Sequence, residues 1–258
     1  MEFKDKVAIV TGASSGVGYA IADTFAKNGY NMVLAARRIE ILKELAGKLN
    51  QQYGVQTLPV KTDLTILDDI KNLFKKTREK FGKLNVLVNV AGEFPAMSFV
   101  DSDPEEFITR HEKAVNLMLN AVVYASKLGL DMLMESNGVI INISSDAGLE
   151  KKVYPNQVPY HSAKAGVNHA TRAIDLETRS KGVRAFAIAP GNIDTPLLRK
   201  TIEGDSDLVE LIEQKAGSLD RFYGKILKPK DVADRVMNIV QNPDRYPNPV
   251  IEMESFEF

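Results

Sequence analysis

The chain has no cysteine in 258 residues, which removes disulfides, thiolate metal sites and cysteine nucleophiles from its chemistry. It also lacks a dominant charge: 33 Lys and Arg face 34 Asp and Glu, leaving no net field to draw in nucleic acid or an anionic membrane. No uninterrupted apolar run approaches the ~20 residues that a bilayer span requires. Met1 to Lys6 leads straight into an apolar strand without the shape of a signal peptide. These absences set the expectation of a cytoplasmic protein with neither a membrane nor a nucleic-acid partner. Metal chemistry is not expected either, because His111, His161 and His169 fall at spacings that do not converge.

What is present is a regular alternation of short Val- and Ile-rich runs with longer segments of helical period. Strands are expected at 6–11, 31–36, 55–61, 84–89, 139–143 and 183–189, with a seventh at 250–253. Helices are expected at 16–28, 40–53, 66–81, about 104–135, 159–180 and from 229 onward. The strands are apolar throughout rather than alternating, as required when helices cover both faces of a parallel sheet. This pattern predicts a doubly wound α/β fold with a mostly parallel, seven-stranded sheet. No linker, low-complexity tract or repeat divides the chain, so one domain over 1–258 is expected, with 192–228 as a helical lid over the site.

Thr11-Gly-Ala-Ser-Ser-Gly-Val-Gly18 lies on the first strand-to-helix turn. A diphosphate needs backbone N–H groups free of obstruction, at a helix N-terminus. Gly12, Gly16 and Gly18 supply that freedom, Ser14 and Ser15 supply hydroxyls, and Val17 lies between them. Taken alone, such a cluster is equally a tight turn; its position in the βαβ unit favours a dinucleotide. At the end of the second strand, where an NAD site carries a carboxylate, the chain has Arg37 and Arg38. Guanidinium groups suit a 2′-phosphate, so NADP(H) is expected in preference to NAD(H); the alternative is two surface arginines opening a helix. Asp63, followed by Leu64, is a candidate for the adenine edge or for a helix N-cap.

Tyr160-His-Ser-Ala-Lys164 places a phenol and an ammonium one helical turn apart, able to enter one cleft. A nearby ammonium, with the charge of an oxidised nicotinamide, is expected to lower the phenol pKa and fit Tyr160 for proton transfer. By itself the pair is also a common surface motif.

With these motifs in this order, the chain resembles a short-chain dehydrogenase/reductase of the compact, single-domain type, with its Rossmann fold. The likeness runs from Thr11 to about Pro196. Asn89-Val-Ala-Gly92 is similar to the family's Asn-Asn-Ala-Gly, with Val90 in place of the second asparagine. The resemblance implies cofactor roles for Asn89, Ala91 and Gly92, and for Pro190, Gly191, Ile193 and Thr195 in the nicotinamide loop. It implies catalytic roles for Asn116, Ser145, Tyr160 and Lys164, with Gly148 marking Ser145 as the active hydroxyl. Tyr160 and Lys164 would also touch the cofactor. Ser145 is alternatively a turn cap, and Asn116 a satisfied polar group at a helix kink. The expectation is an NADP(H)-dependent oxidoreductase acting on a small carbonyl or alcohol, assembled as a homo-oligomer, dimer or tetramer. The competing reading is a non-catalytic NADP-binding sensor or scaffold.

Overall fold

A computed structural model describes residues 5–203 and 226–253, with the side chains of 200–203 outside that description. Seven strands form one parallel sheet: β1 (Val7–Thr11), β2 (Asn31–Ala36), β3 (Thr57–Lys61), β4 (Val86–Asn89), β5 (Val139–Ile143), β6 (Arg184–Pro190) and β7 (Val250–Met253). Their order is β3-β2-β1-β4-β5-β6-β7, and all six pairings are parallel. The expected doubly wound sheet is therefore met. The order reverses between β1 and β4, so their carboxyl ends open the crevice in which such folds bind ligands.

Successive residues of each strand serve opposite cores. Ala8, Val10, Met32, Leu34, Val86, Val88 and Ile141 face α1 (Gly16–Lys27), α2 (Ile39–Tyr53) and α8 (Pro229–Gln241). Val7, Ile9, Val33, Leu87 and Ile140 face α3 (Leu67–Phe81) and α5 (Ala121–Glu135). A period of two with both faces covered explains why the strands read as unbroken apolar runs.

β4 begins two residues later than the sequence suggests. Asn85 accepts the Val7 N–H through its side chain at 2.8 Å and the Val139 N–H through its carbonyl at 2.9 Å, so it closes the sheet edge instead of extending the strand.

The long helix expected at 104–135 is divided. Asp103 caps α4 (Pro104–Val115) by accepting the Glu106 N–H, Pro104 occupies its first turn, and a π-helical turn at Asn116–Asn120 separates it from α5. By length and composition alone Pro104–Glu135 could cross a membrane, although Asn116, Asn120, Lys127 and Asp131 interrupt its apolar residues. In the fold 44% of its apolar window is buried, with Ala121, Ala125, Met132 and Leu133 in the core under the sheet.

α6 (Val158–Thr178) packs on β6 and on α4, with Asp175 buried at its far end between Arg184 and Arg179. The 192–228 excursion is closed at its base, where Ile193 and Leu227 form a parallel bridge and Asp194 N–H donates to Leu227 O at 2.8 Å. α7 (Pro196–Glu203) begins it. Leu208, Leu211 and Ile212, expected to form a lid wall with Leu197 and Leu198, lie outside the described residues.

Candidate active site

A cleft of about 1730 Å³ runs along the carboxyl edge of the sheet. The glycine turn forms one end. Gly12 has φ +66°, and a Cβ there would meet Ala91 N at 3.0 Å; a Cβ on Gly18 would come within 2.3 Å of Gly12 O. Only glycine lets β1, the turn and the first coil of α1 approach this closely. Ser15 is the N-cap of α1 but makes no side-chain cap bond, and the first turn carries no acidic residue. The helix therefore presents its N-terminal donors and its positive dipole end to the cleft.

Arg38 bends over this turn. Its Nη2 donates to Ser14 Oγ at 2.9 Å and to Ser15 Oγ at 3.1 Å. Arg37 lines the cleft beside Asp63. Asp63 Oδ1 accepts the Thr65 hydroxyl at 2.7 Å and the Thr65 N–H at 3.0 Å, and these bonds, helped by the charges of Arg37 and Lys113, hold its pKa below the usual carboxylate value. Asp63 is thus a turn-forming residue that also lines the cleft with Leu64; the N-cap of α3 is Ile66.

Val17, Gly16, Ala91, Gly92, Pro190, Gly191, Ile193 and Thr195 all line the same cleft. Asn89 does not, which departs from the cofactor contact implied for it. Its amide is buried and donates to Asn142 Oδ1 at 2.9 Å, and Asn142 in turn donates to Thr171 Oγ1 at 2.9 Å. This chain ties β4 and β5 to α6 beneath the site. Val90, the departure from the family pattern, sends its N–H to Thr11 Oγ1 at 3.0 Å while its side chain packs against the core.

The four expected catalytic residues all line the same cleft. Ser145 follows β5 and caps the short turn Asp146–Gly148, accepting the Ala147 N–H at 3.2 Å. That turn lies directly on α6: a Cβ on Gly148 would meet the Lys164 carbonyl oxygen and Asn168 Nδ2, each at 2.7 Å. Tyr160 and Lys164 rise from the first turns of α6. Lys164 Nζ donates to Ile143 O at 2.9 Å and would lie 3.8 Å from a Cβ on Gly92. Asn116 opens the π turn and donates to Thr65 O at 3.3 Å. The turn's i+5 bond, from Ala121 N–H to Asn116 O, widens the helix where its side chain faces the cleft.

Burial decides the electrostatics. It lowers the Lys164 pKa to about 8, because the buried ammonium has a backbone carbonyl and no carboxylate partner among the described residues. It pushes the Tyr160 phenol upward, opposed by a hydrogen bond with Ser145 and reinforced by the charge of Asp146. Desolvation is the largest influence on the phenol and raises its pKa, whereas the expected lowering counted the charge of an oxidised nicotinamide together with that of Lys164.

Several participants were not anticipated. Phe94 stacks edge-on against Tyr160, with ring centroids 5.0 Å apart. His161 accepts the Tyr154 N–H at 3.0 Å through Nε2 while Nδ1 faces Ala147 O, pinning the 146–157 loop to α6. Asp146 and Asn142 carried visible signals, one a charge beside the candidate serine and the other an amide within an apolar strand. Phe94 and His161 had none.

A phenol, an ammonium and a serine hydroxyl thus share one cleft with a glycine turn, and the chain matches the short chain dehydrogenase family model over residues 6–206. It belongs to the short-chain dehydrogenase family. Its similar relatives include an uncharacterized oxidoreductase of Staphylococcus saprophyticus, 35% identical over 94% of both chains. A Staphylococcus aureus oxidoreductase is 31% identical over 93% of this chain and 92% of its own. Among solved structures, an alcohol dehydrogenase of the archaeon Thermococcus sibiricus, complexed with 5-hydroxy-NADP, superposes with a TM-score of 0.80 at 27% identity, covering 98% and 99% of the two chains. A short-chain dehydrogenase/reductase of Caenorhabditis elegans with cofactor gives a TM-score of 0.84 at 26% identity, covering 98% and 95%. As a short-chain dehydrogenase, the chain is an oxidoreductase of a family that uses NAD(P) and acts on small molecules.

Proposed function

We propose that the protein is an NADP(H)-dependent oxidoreductase acting on the carbonyl or secondary alcohol of a small molecule, with Tyr160 as its general acid and base. The observation that carries this reading is one cleft lined by Ser145, Tyr160 and Lys164 together with the glycine turn, Arg37 and Arg38. The fit to a dinucleotide rests on the uncapped N-terminus of α1 and the obstruction-free turn at Gly12. The preference for a 2′-phosphate rests on two guanidinium groups at the end of β2, where a carboxylate would repel it.

The nicotinamide, when bound, supplies or accepts the hydride. Tyr160 gives its phenolic proton to the substrate oxygen as the carbonyl carbon is reduced, and takes it back in the reverse direction. Ser145 orients that oxygen. Lys164 binds ribose hydroxyls and stabilises the phenolate, while Asn116 positions a water for proton resupply. Gly12, Ser14, Ser15, Gly16, Val17 and Gly18 hold the diphosphate. Asp63 and Leu64 contact the adenine, and Asn89 supports the turn at Ala91 and Gly92. Pro190, Gly191, Ile193 and Thr195 hold the carboxamide.

The same reading takes residues 1–258 as one cytoplasmic domain that assembles into a dimer or tetramer. The exposed Val123, Tyr124 and Leu128 on α5 support the assembly, which sedimentation analysis tests.

NADPH absorbance followed over ketones, aldehydes, sugars and 3-oxo acids tests the activity. Tyr160→Phe is expected to lose about 10²–10⁴-fold in turnover with NADPH affinity nearly intact. Equal turnover in the variant overturns the role of Tyr160.

A further inference from the structure

The Ser145 hydroxyl has one proton to donate and two lone pairs. One lone pair takes the Ala147 N–H at 3.2 Å, and the proton goes to Asp146 Oδ1 at 3.1 Å. The same hydroxyl also hydrogen-bonds with the Tyr160 phenol, so it is shared between the Asp146 carboxylate and the reacting end of the cleft. Asp146 is held in place from behind. Its Oδ2 meets Lys152 Nζ at 3.3 Å, and Lys152 also reaches Glu252 of β7 at 3.5 Å. The carboxylate is mostly buried, with 16% of its side chain exposed, and it lines the cleft with Tyr154 and Tyr160. Its charge reaches both phenols, which places it at the reacting end.

Resting on the reading of Ser145 as the group that orients a carbonyl oxygen, we propose that Asp146 is a specificity-determining residue. It selects carbonyl substrates that carry a hydrogen-bond donor, a hydroxyl or an ammonium, on the carbon next to the carbonyl. Such a donor replaces the Ser145 hydroxyl at Asp146 Oδ1. Ser145, released, turns its proton to the carbonyl oxygen that receives the Tyr160 proton. The exchange conserves hydrogen bonds: one donor leaves the carboxylate as another arrives. A plain ketone offers no replacement, so turning Ser145 toward it strips a mostly buried carboxylate of a donor and raises the barrier. Lys152 remains on the other oxygen throughout and takes no part in the exchange.

The test compares kcat/KM for 3-hydroxybutan-2-one, 3-methoxybutan-2-one and butan-2-one in wild type, Asp146→Ala and Lys152→Met. The methyl ether keeps the inductive pull of the oxygen and lacks the donor. Wild type is expected to prefer the hydroxyketone over the methyl ether by about tenfold or more. Asp146→Ala brings that ratio close to one. Lys152→Met keeps the preference even where its overall rate falls, because a loosened loop slows all three ketones together. A wild-type ratio below about twofold, or a ratio unchanged in Asp146→Ala, overturns the role of Asp146 and leaves the oxidoreductase reading standing. Failure of wild type to reduce any of the three ketones or any member of the wider carbonyl panel overturns both.

Discussion

Lys164 Nζ lies 5.8 Å from the Tyr160 ring centroid, on the same side of α6, and donates its hydrogen bond to the Ile143 carbonyl. The ammonium is close enough to favour a phenolate, yet Lys164 is buried and Tyr160 half-buried, and desolvation pushes each toward its neutral form. A resting phenol that keeps its proton is suited to giving it away.

The stability of the protein should record the burial of Lys164. Its pKa falls from 10.5 to about 8 on folding, so between these values the unfolded chain binds the proton that the folded one has lost. Stability contributed at this site therefore rises with pH across that window, by roughly 3 kcal/mol in full, and the burden of the buried charge is present below it. Urea unfolding of wild type and Lys164→Met measures this: the variant should be the more stable at pH 7, with the gap closing by pH 10. A gap independent of pH would contradict it.

Gly148 should be needed for activity without touching substrate. An alanine there meets the backbone of Lys164 and the amide of Asn168 at 2.7 Å, atoms that cannot move without shifting α6 or the Ser145 turn. Gly148→Ala is expected to cost about 1–3 kcal/mol in stability and to lower kcat at any substrate level, because Ser145 and Tyr160 lose register. Thermal unfolding together with steady-state kinetics checks both.

Arg37→Asp should move cofactor preference toward NADH. Replacing a cation by an anion removes charged hydrogen bonds to a 2′-phosphate and adds repulsion, so NADPH affinity is expected to fall about tenfold to a hundredfold while NADH affinity holds. Fluorescence titration with both cofactors measures it, and tighter binding of NADH by the wild type would end the argument.

Asp175 should be a stability residue far from chemistry. It is buried, ion-paired with Arg184 at 2.8 Å and with Arg179, and accepts the Ala185 N–H at 3.0 Å. Those partners outweigh burial and hold its pKa low. Its contribution is complete above the ordinary aspartate range and is lost as pH falls through the lowered folded value. Asp175→Asn is expected to cost about 3–5 kcal/mol near neutrality, where it leaves Arg184 without its partner, and much less in acid. Chemical denaturation at several pH values tests the difference.

Strand order along the chain, the glycine turn, the arginine pair and the Tyr160–Lys164 spacing were all legible in the residues, because period and local backbone freedom are properties of short segments. Boundaries moved where a side chain took over a backbone role, as Asn85 does at the start of β4, and where a backbone bond shifted to i+5, as in the π turn that Asn116 opens.

The amino-acid order by itself determined the alternation that yields a parallel sheet, and which residue types were available for phosphate and proton chemistry. The tertiary structure alone decided that Asn89 turns from the cleft to Asn142, that desolvation is the largest influence on the Tyr160 phenol, and that Asp146 comes within hydrogen-bond reach of the Ser145 hydroxyl. Burial and hydrogen-bond direction depend on what the rest of the chain brings alongside, and no local pattern encodes them.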